Sequence, residues 1–393
     1  MKPDARVHAA IEVLSAILKG AAADRALQGW GRANRFAGSG DRRAIGELVY
    51  ATLRSGTVPD DPRAAVLAGL RAQGHDGAAI DALFTGARHA PAPLSAAERA
   101  ALDLPASALP DWLAVSLRRA YGERMNAELA ALAMRAPLDL RVNTLKATRE
   151  RALDVLAEEG IAADPLDRPD TALRVLAGGV DVESSAAHTM GYVEIQDAGS
   201  QLVAELADAR ADMSVLDLCA GAGGKTLALA AAMGNSGRLL ACDTGAVRLK
   251  RLAPRAIRAG ATIVETRLLA EDWLDQASPF TEAFDRVVID APCSGSGTWR
   301  RNPETRARLT QAGLAHLTAL QGRLLDAAAP LVKPGGKLVY ITCSILPEED
   351  EDQADAFLAR HAGFSRAAPD TRLSPASTAT DGFFAAVFVR TPA

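Results

Sequence analysis

The run Val215 to Thr226, VLDLCAGAGGKT, restricts the fold of this chain more than any other stretch. Val215, Leu216 and Leu218 form an apolar run suited to a buried strand. Gly221, Gly223 and Gly224 open a loop, and Thr226-Leu227-Ala228-Leu229-Ala230 resumes as a helix. Glycine serves where backbone must bend sharply or approach a ligand closely. A Gly-rich turn between the first strand and first helix of an open α/β sheet lies at the ligand crevice of that sheet. From Ser214 onward strand and helix patterns alternate, the mark of a doubly wound sheet. Strands are expected at 214–219, 237–243, 262–268, 284–290 and 336–342, and helices at 225–233, 246–259, 313–332 and 348–361. A last strand, Phe383 to Arg390, follows the turn Asp381-Gly382, after a polar loop at 370–380.

Two common ligands fail the spacing of the Gly loop. A phosphate-binding P-loop needs a glycine where this chain has Cys219. A dinucleotide fingerprint counted from Gly221 and Gly223 needs its third glycine at Thr226. What remains is the first motif of an S-adenosylmethionine (SAM) binding fold. The strand Gly237 to Asp243 ends in a carboxylate that can accept both ribose hydroxyls of an adenosine. Asp243 alone is equally well read as a helix cap, but its place behind a Gly loop favours the ligand. After the third strand comes Glu271-Asp272-Trp273, where a carboxylate can accept the adenine amino group.

The chain has 393 residues, enough for two or three domains, and a formal net charge of −4. That balance gives no global nucleic-acid signature, so any RNA surface must be a local patch. Its four cysteines, Cys219, Cys242, Cys293 and Cys343, form no C-x₂-C pair, so no metal site is expected. Asp4, Glu12 and Lys19 interrupt the first apolar stretch, so no signal peptide is read there. No run of about 18 apolar residues marks a membrane span. A cytoplasmic protein with reduced thiols is expected, with no membrane partner and nothing that calls for more than a monomer.

Residues 1–134 read as helical. Val7, Ile11, Leu14, Ile17 and Leu18 recur at helical spacing, as do Ile45, Leu48, Val49 and Leu53 after Asp41, which is read as an N-cap. Pro59, Pro62, Pro91, Pro93 and Pro105 punctuate later helices. Arg25, Arg32, Arg35, Arg42, Arg43 and Arg54 cluster here, as a solvated helical surface or an RNA-backbone patch. Residues 135–211 change character: short strands at Leu140–Leu145, Leu173–Leu176 and Gly191–Ile195, and helices at Arg149–Glu159 and Ser200–Ala209. They make a small α+β unit before the doubly wound sheet of 212–393.

Ligands in such a sheet bind at the carboxyl ends of its strands. The fourth strand ends in Asp290-Ala291-Pro292-Cys293-Ser294-Gly295, followed by Arg300, Arg301 and Arg306 with only Glu304 opposing them. That basic loop suits phosphate contacts. The fifth ends in Tyr340-Ile341-Thr342-Cys343-Ser344. A single buried cysteine is ordinarily a small hydrophobe. Two on neighbouring strand tips, beside an aspartate and a SAM-like loop, point to covalent chemistry. Carbon 5 of a pyrimidine is too weakly nucleophilic to take a methyl group from a sulfonium. A thiolate added to carbon 6 places carbanion character on carbon 5 and splits one hard step into easier ones. An aspartate near nitrogen 3 and the exocyclic amine of cytosine can stabilise the charge, and a second thiol can help the covalent product collapse.

These residues resemble the RNA cytosine-5 methyltransferases of the RsmB/Sun (NOP2/Sun) type. The similar stretches are DLCAGAGGKT at 217–226, DAPCSGSGTWRRNPE at 290–304, YITCS at 340–344, DGFFAAVFVR at 381–390, RVNTLK at 141–146 and VEIQDAGSQL at 194–203. The resemblance implies a Rossmann-like class I SAM methyltransferase domain at 212–393, a small α+β RNA-binding extension at 135–211 and an all-α NusB-like RNA-binding domain at 1–134. It implies Cys343 as nucleophile, Cys293 as the aid to product release, Asp290 against the target base and near the methionine end of SAM, and Lys225 facing the target nucleotide. Cys219, Ala220, Gly221, Ala222, Gly223, Gly224 and Lys225, with Asp243, Asp272 and Asp290, would hold SAM. Arg300, Arg301, Arg42 and Arg43 would contact RNA. The substrate would be 16S small-subunit rRNA. The family usually reads Ala-Ala-Pro-Gly-Gly-Lys-Thr in the first motif; here Gly221 and Ala222 replace Ala and Pro, and SAM binding is expected to survive in a more flexible loop. Three other readings stand beside this one: the same chemistry on tRNA, a non-catalytic RNA-binding or ribosome-assembly factor, and a SAM enzyme acting on amines. The last commonly carries Asp/Asn-Pro-Pro-Tyr/Phe where this chain has Asp-Ala-Pro-Cys.

Overall fold

Apolar residues alternate between the two faces of each central strand, and both faces are buried. Leu216, Leu240, Val287, Ile289, Leu338 and Tyr340 pack on one side, against Leu324, Leu325 and Ala328 of the helix Gln311–Ala328. Val215, Leu239, Ala241, Val288, Val339 and Ile341 pack on the other, against Leu227, Leu229 and Ala230 of the helix Gly224–Ala232. Double burial is what a parallel sheet requires, since its crossover helices cover both faces. The structure is a computed structural model and describes residues 1–55, 61–102, 109–176, 180–276, 278–280 and 283–392. Pro59 and Pro105 lie outside the described residues.

The chain divides into two compact units, Met1–Arg135 with Thr298–Thr310, and Ala136–Gly297 with Gln311–Ala393. The second unit contains two sheets. The first is antiparallel, built from β1 (Leu138–Val142), β2 (Ala163–Pro165), β3 (Ala172–Val175) and β4 (Val193–Ile195) in the order β2-β3-β1-β4. Its larger neighbour is formed by β5 (Ser214–Asp217), β6 (Arg238–Asp243), β7 (Val264–Leu268), β8 (Phe284–Asp290), β9 (Val332–Thr342), β10 (Phe364–Arg366), β11 (Thr371–Leu373) and β12 (Phe383–Arg390). The order is β10-β12-β9-β8-β5-β6-β7, with β11 also pairing β12. β5 to β9 are parallel, and β12 runs antiparallel beside β9. This is the expected Rossmann-like architecture. Strand order reverses between β5 and β8, which puts the ligand crevice at their carboxyl ends.

The small sheet has one apolar and one charged face. Leu140, Val142, Leu173 and Val193 pack with Ala152, Val155 and Leu156 of the helix Arg149–Glu158. The alternate residues Asp139, Arg141 and Glu194 are also buried. Glu194 accepts from Arg255 at 2.9 Å and from Arg258, while Asp139 accepts from Arg174 Nε at 2.7 Å. Such pairing offsets the cost of burying a carboxylate.

The helical unit includes Pro3–Leu18, Ala23–Ala33, Ser39–Arg54 and Pro62–Ala72, which share a core of Val7, Leu14, Ile17, Ile45, Val49, Leu53, Val66 and Leu70. The segment Thr298–Thr310 is built into it. Arg54 Nη2 donates to the Arg300 carbonyl at 3.0 Å, and Ala23 N donates to Glu304 Oε1 at 3.2 Å.

Several element boundaries differ from expectation for local reasons. Asp41 is not the N-cap; the helix begins at Ser39 behind Gly38, and Asp41 accepts from Arg6 Nε at 3.0 Å instead. The strand expected to reach Leu145 stops at Val142, because the Asn143 side chain turns the backbone: its amide donates to Gly191 and Ala259, and its oxygen accepts from Leu145 N. The helix expected over 246–259 is two, Ala246–Leu249 and Leu252–Ala259, with Pro254 in the first turn of the second. Proline lacks the N–H that an unbroken helix would need there.

The loop after β8 meets the start of β12 backbone to backbone. Gly382 N donates to Gly297 O at 2.8 Å, and a Cβ on Gly297 would stand 2.1 Å from Gly382 O. Because neither backbone can yield without breaking that bond, Gly297→Ala is expected to destabilise the protein by about 1–3 kcal/mol. Denaturant unfolding of the purified variant checks this; an unchanged midpoint would show that the loop relaxes freely.

Candidate active site

The Gly loop leaves β5 at the point where strand order reverses. Gly221 has φ +57° and Gly223 φ +86°, in the left-handed region. At Gly223 a Cβ would also fall 2.1 Å from Leu252 Cδ1. Gly221 faces open space, and its N–H donates to Asp243 Oδ2 at 2.8 Å. The departure from the family pattern at this position therefore puts glycine where left-handed backbone is used. Ala222 is held through its carbonyl by Arg255 Nη1 at 2.7 Å. Asp243, at the tip of β6, also accepts from Gly245 N at 2.5 Å and Arg248 Nη2 at 2.8 Å.

Lys225 opens the helix Gly224–Ala232 and reaches across to the tip of β8. Its Nζ donates to Asp290 Oδ2 at 2.7 Å and lies 5.3 Å from the centre of the Phe383 ring. Burial works to lower the Lys225 pKa, but Asp290, Cys343 and Asp217 more than offset it, so the ammonium is held above its ordinary value. Beneath the loop, Asp217 is fully buried and accepts from Thr226 Oγ1 at 2.7 Å, while its other oxygen has no hydrogen-bond partner. Burial pushes the Asp217 carboxyl up to about 7, against the Thr226 hydrogen bond and aided by Asp290.

The two candidate thiols meet. Cys293 Sγ and Cys343 Sγ are 3.4 Å apart. The hydrogen bond with Cys343, then burial, hold the Cys293 thiol well above its usual pKa. Gly297 N donates to the Cys343 carbonyl at 3.0 Å, fixing one loop on the other. Cys242 lies inside the sheet, and burial pushes it to about 12. Burial likewise raises the Cys219 thiol.

Cys219, Lys225, Asp243, Asp290, Cys293 and Cys343 therefore gather at one end of the sheet. Asp272 is exposed, beyond the tip of β7. Arg42 and Arg43 are exposed on the helix Ser39–Arg54 of the other unit. Arg300 corrects the sequence reading: it is 5% exposed and so does not form part of a solvated phosphate-binding loop. Arg301 is half-buried. Several buried carboxylates escaped the sequence reading, Asp217 and Glu349 among them. Asp217 was hidden inside the strand pattern, and Glu349, which holds the loop of Cys293, sits in the charged run Glu348-Glu349-Asp350-Glu351-Asp352 that reads as a solvated helix start.

A doubly wound sheet with antiparallel β12 beside β9, a Gly loop at the switch point and an acid at the tip of β6 is the class I SAM methyltransferase fold, and the cysteine pair beyond β8 and β9 stands at its ligand crevice. The comparisons with known proteins go further. Residues 204–389 match the model described as 16S rRNA methyltransferase RsmB/F, and residues 109–183 match the RsmF/B-like ferredoxin-like domain. A probable ribosomal RNA small subunit methyltransferase B of Synechocystis is 37% identical over 64% of this chain and 56% of its own length. The ribosomal RNA small subunit methyltransferase B of Pectobacterium carotovorum is 35% identical over 72% of this chain and 66% of its own. The chain thus spans less than two thirds of the length of either relative. Among solved structures, PH0851 is 26% identical with a TM-score of 0.79, covering 99% of both chains. A methyltransferase homologue from Pyrococcus horikoshii is also 26% identical, with a TM-score of 0.64, over 72% of this chain and 95% of its own. Residues 204–389 and 109–183 thus carry the methyltransferase domain and the ferredoxin-like domain of the RsmB/F type.

The raised Asp217 makes stability pH-dependent. In the unfolded chain an aspartate titrates near ~3.9, so between roughly pH 4 and 7 the folded state binds the extra proton. The resulting stabilisation is complete below that window and lost as pH rises through about 7. Asp217→Asn keeps an acceptor for Thr226 and removes the titration. Its melting temperature, measured by calorimetry, is expected to vary less between pH 4 and 7 than that of the parent protein, and to exceed it above pH 7. Parallel pH profiles would show that Asp217 titrates normally.

Proposed function

We propose that this chain is a SAM-dependent RNA (cytosine-5)-methyltransferase acting on 16S small-subunit rRNA in the cytoplasm. The observation that carries the reading is the 3.4 Å pair of thiols beside the Lys225–Asp290 ion pair. The donor set fits SAM: a Gly loop with left-handed backbone, the acid Asp243 at the next strand tip, and a buried Asp217 oxygen still lacking a partner. Cys219 to Lys225, Asp243, Asp272 and Asp290 would hold it. Bound SAM supplies an electrophilic methyl group on a sulfonium.

The protein's own groups account for the rest. Cys343, as thiolate, adds to carbon 6 of the cytosine, and the electron pair of the ring double bond moves to carbon 5, where the methyl group is accepted. Asp290 faces the base edge and Lys225 balances its charge. S-adenosylhomocysteine is the other product of the transfer; the carbon 5 proton then passes to solvent, its electron pair restores the ring double bond and Cys343 leaves as thiolate, with Cys293 assisting this collapse. The exposed arginines Arg42 and Arg43 of the helical unit are proposed as RNA-backbone contacts of a NusB-like domain, and half-buried Arg301 as a further one.

Cys343→Ala is expected to abolish turnover while calorimetric titration still shows SAM binding; normal turnover would refute the nucleophile. Cys293→Ala is expected to accumulate a protein–RNA adduct, seen as a slow band on a denaturing gel. Bisulfite sequencing of rRNA and tRNA from cells with and without the protein tests the substrate. Loss of one rRNA methyl mark is the expected result, and loss confined to tRNA would overturn the rRNA assignment.

A further inference from the structure

Both neighbours of Cys293 are held by one buried carboxylate and its partner. Glu349 is 0% exposed. Its Oε1 accepts from Ser294 N at 2.8 Å and Gln321 Nε2 at 3.0 Å, and its Oε2 accepts from Ser294 Oγ at 2.5 Å. Gln321 Nε2 also donates to the Pro292 carbonyl at 2.9 Å. The residues before and after Cys293 are therefore fixed by the Glu349–Gln321 pair. Burying a carboxylate is expensive, and the donors here are neutral: a peptide N–H, a hydroxyl and a carboxamide. An apolar side chain would fill this space at lower cost but would leave the loop unheld.

The Cys343 tip meets this network only through Ser344 Oγ, 3.5 Å from Ser294 Oγ, and is held mainly by other bonds. The Glu349 carbonyl accepts from Tyr340 Oη at 2.7 Å, and Asp350 Oδ1 accepts from Thr342 Oγ1 at 2.6 Å. Gly297 N holds the Cys343 carbonyl itself. None of these bonds uses the Glu349 carboxylate, whose own hydrogen bonds run to the Cys293 loop and to Gln321. Its charge also lies close enough to help keep the Cys293 thiol protonated, after the Cys343 hydrogen bond and burial.

We infer that Glu349 is a positioning residue for Cys293, fixing the Pro292–Cys293–Ser294 turn so that release of the methylated base depends on Glu349 while methyl transfer does not. The inference rests on the roles proposed above for Cys343 and Cys293.

The test compares two rates on the full chain with 16S rRNA and radiolabelled SAM. Single-turnover methyl transfer, with enzyme in excess, counts label on RNA whether free or protein-bound. Steady-state kcat includes release. For Glu349→Gln, single-turnover transfer is expected to stay within about twofold while kcat falls about tenfold and the adduct accumulates on a denaturing gel. Ser294→Ala removes only the hydroxyl bond and should show the same split more weakly; it decides the matter if Glu349→Gln does not fold. Equal falls in both rates without adduct would make Glu349 a general structural residue and overturn the inference, as would unchanged rates. Cys293→Ala runs in parallel. If it traps adduct and the Glu349 and Ser294 variants do not, this inference alone fails. If Cys293→Ala releases product normally, the role of Cys293 fails and this inference falls with it.

Discussion

Two backbone hydrogen bonds at Gly297 hold the two cysteine-bearing loops and the start of β12 together. Its N–H binds the Cys343 carbonyl and its carbonyl receives the N–H of Gly382. A loop from β8, the tip of β9 and the start of β12 are thereby joined within one small volume. The approach is so close that a Cβ on Gly382 would fall 2.7 Å from Gly297 Cα. Covalent catalysis tolerates little error in placement, since a displacement of about 1 Å can cost two orders of magnitude in rate. Backbone contacts meet that demand better than long side chains do, because they carry no rotamer freedom.

Charge then makes the site costly to build. Asp217, Asp243 and Asp290 converge under and beside the Gly loop, and buried Lys225 is paired with only one of them. The raised Asp217 is the visible result: a carboxyl without full compensation keeps its proton. The apolar alternation on both faces of β5, β8 and β9 offsets this, each fully buried Leu, Ile or Val contributing about 1.5–3 kcal/mol. The carboxylates therefore concentrate at the strand tips, and the sheet behind them stays conventional.

What could be read in the sequence follows the same division. The period-two runs, the glycines at 221 and 223 and the acids and cysteines closing strands were visible because each belongs to a local pattern. Asp41 misled because an acid before an apolar run caps many helices, whereas here it pairs with Arg6 from another helix. Arg300 misled because a basic run looks solvated until its neighbours are known. Glu349 and Asp350 were hidden for the same reason: five acids in a row read as surface, yet two of them are fully buried. In each case the deciding partner is distant in sequence, so no spacing rule reports it.

The crossover from β8 to β9 shows why the pin at Gly297 matters beyond the thiols. The chain leaves the second unit after Gly297, and Thr298–Thr310 belongs to the helical unit before the helix Gln311–Ala328 begins. Within the helical unit that segment is held firmly: Trp299 is 2% exposed, with Arg306 stacked 5.4 Å from its ring, and Arg308 Nη2 donates to Ile17 O at 2.9 Å. Gly297, bonded on both its N–H and its carbonyl, closes the loop of Cys293 on its downstream side. With Glu349 and Gln321 gripping the loop upstream of it, the thiol is fixed from both sides, and its 3.4 Å approach to Cys343 is set within the second unit.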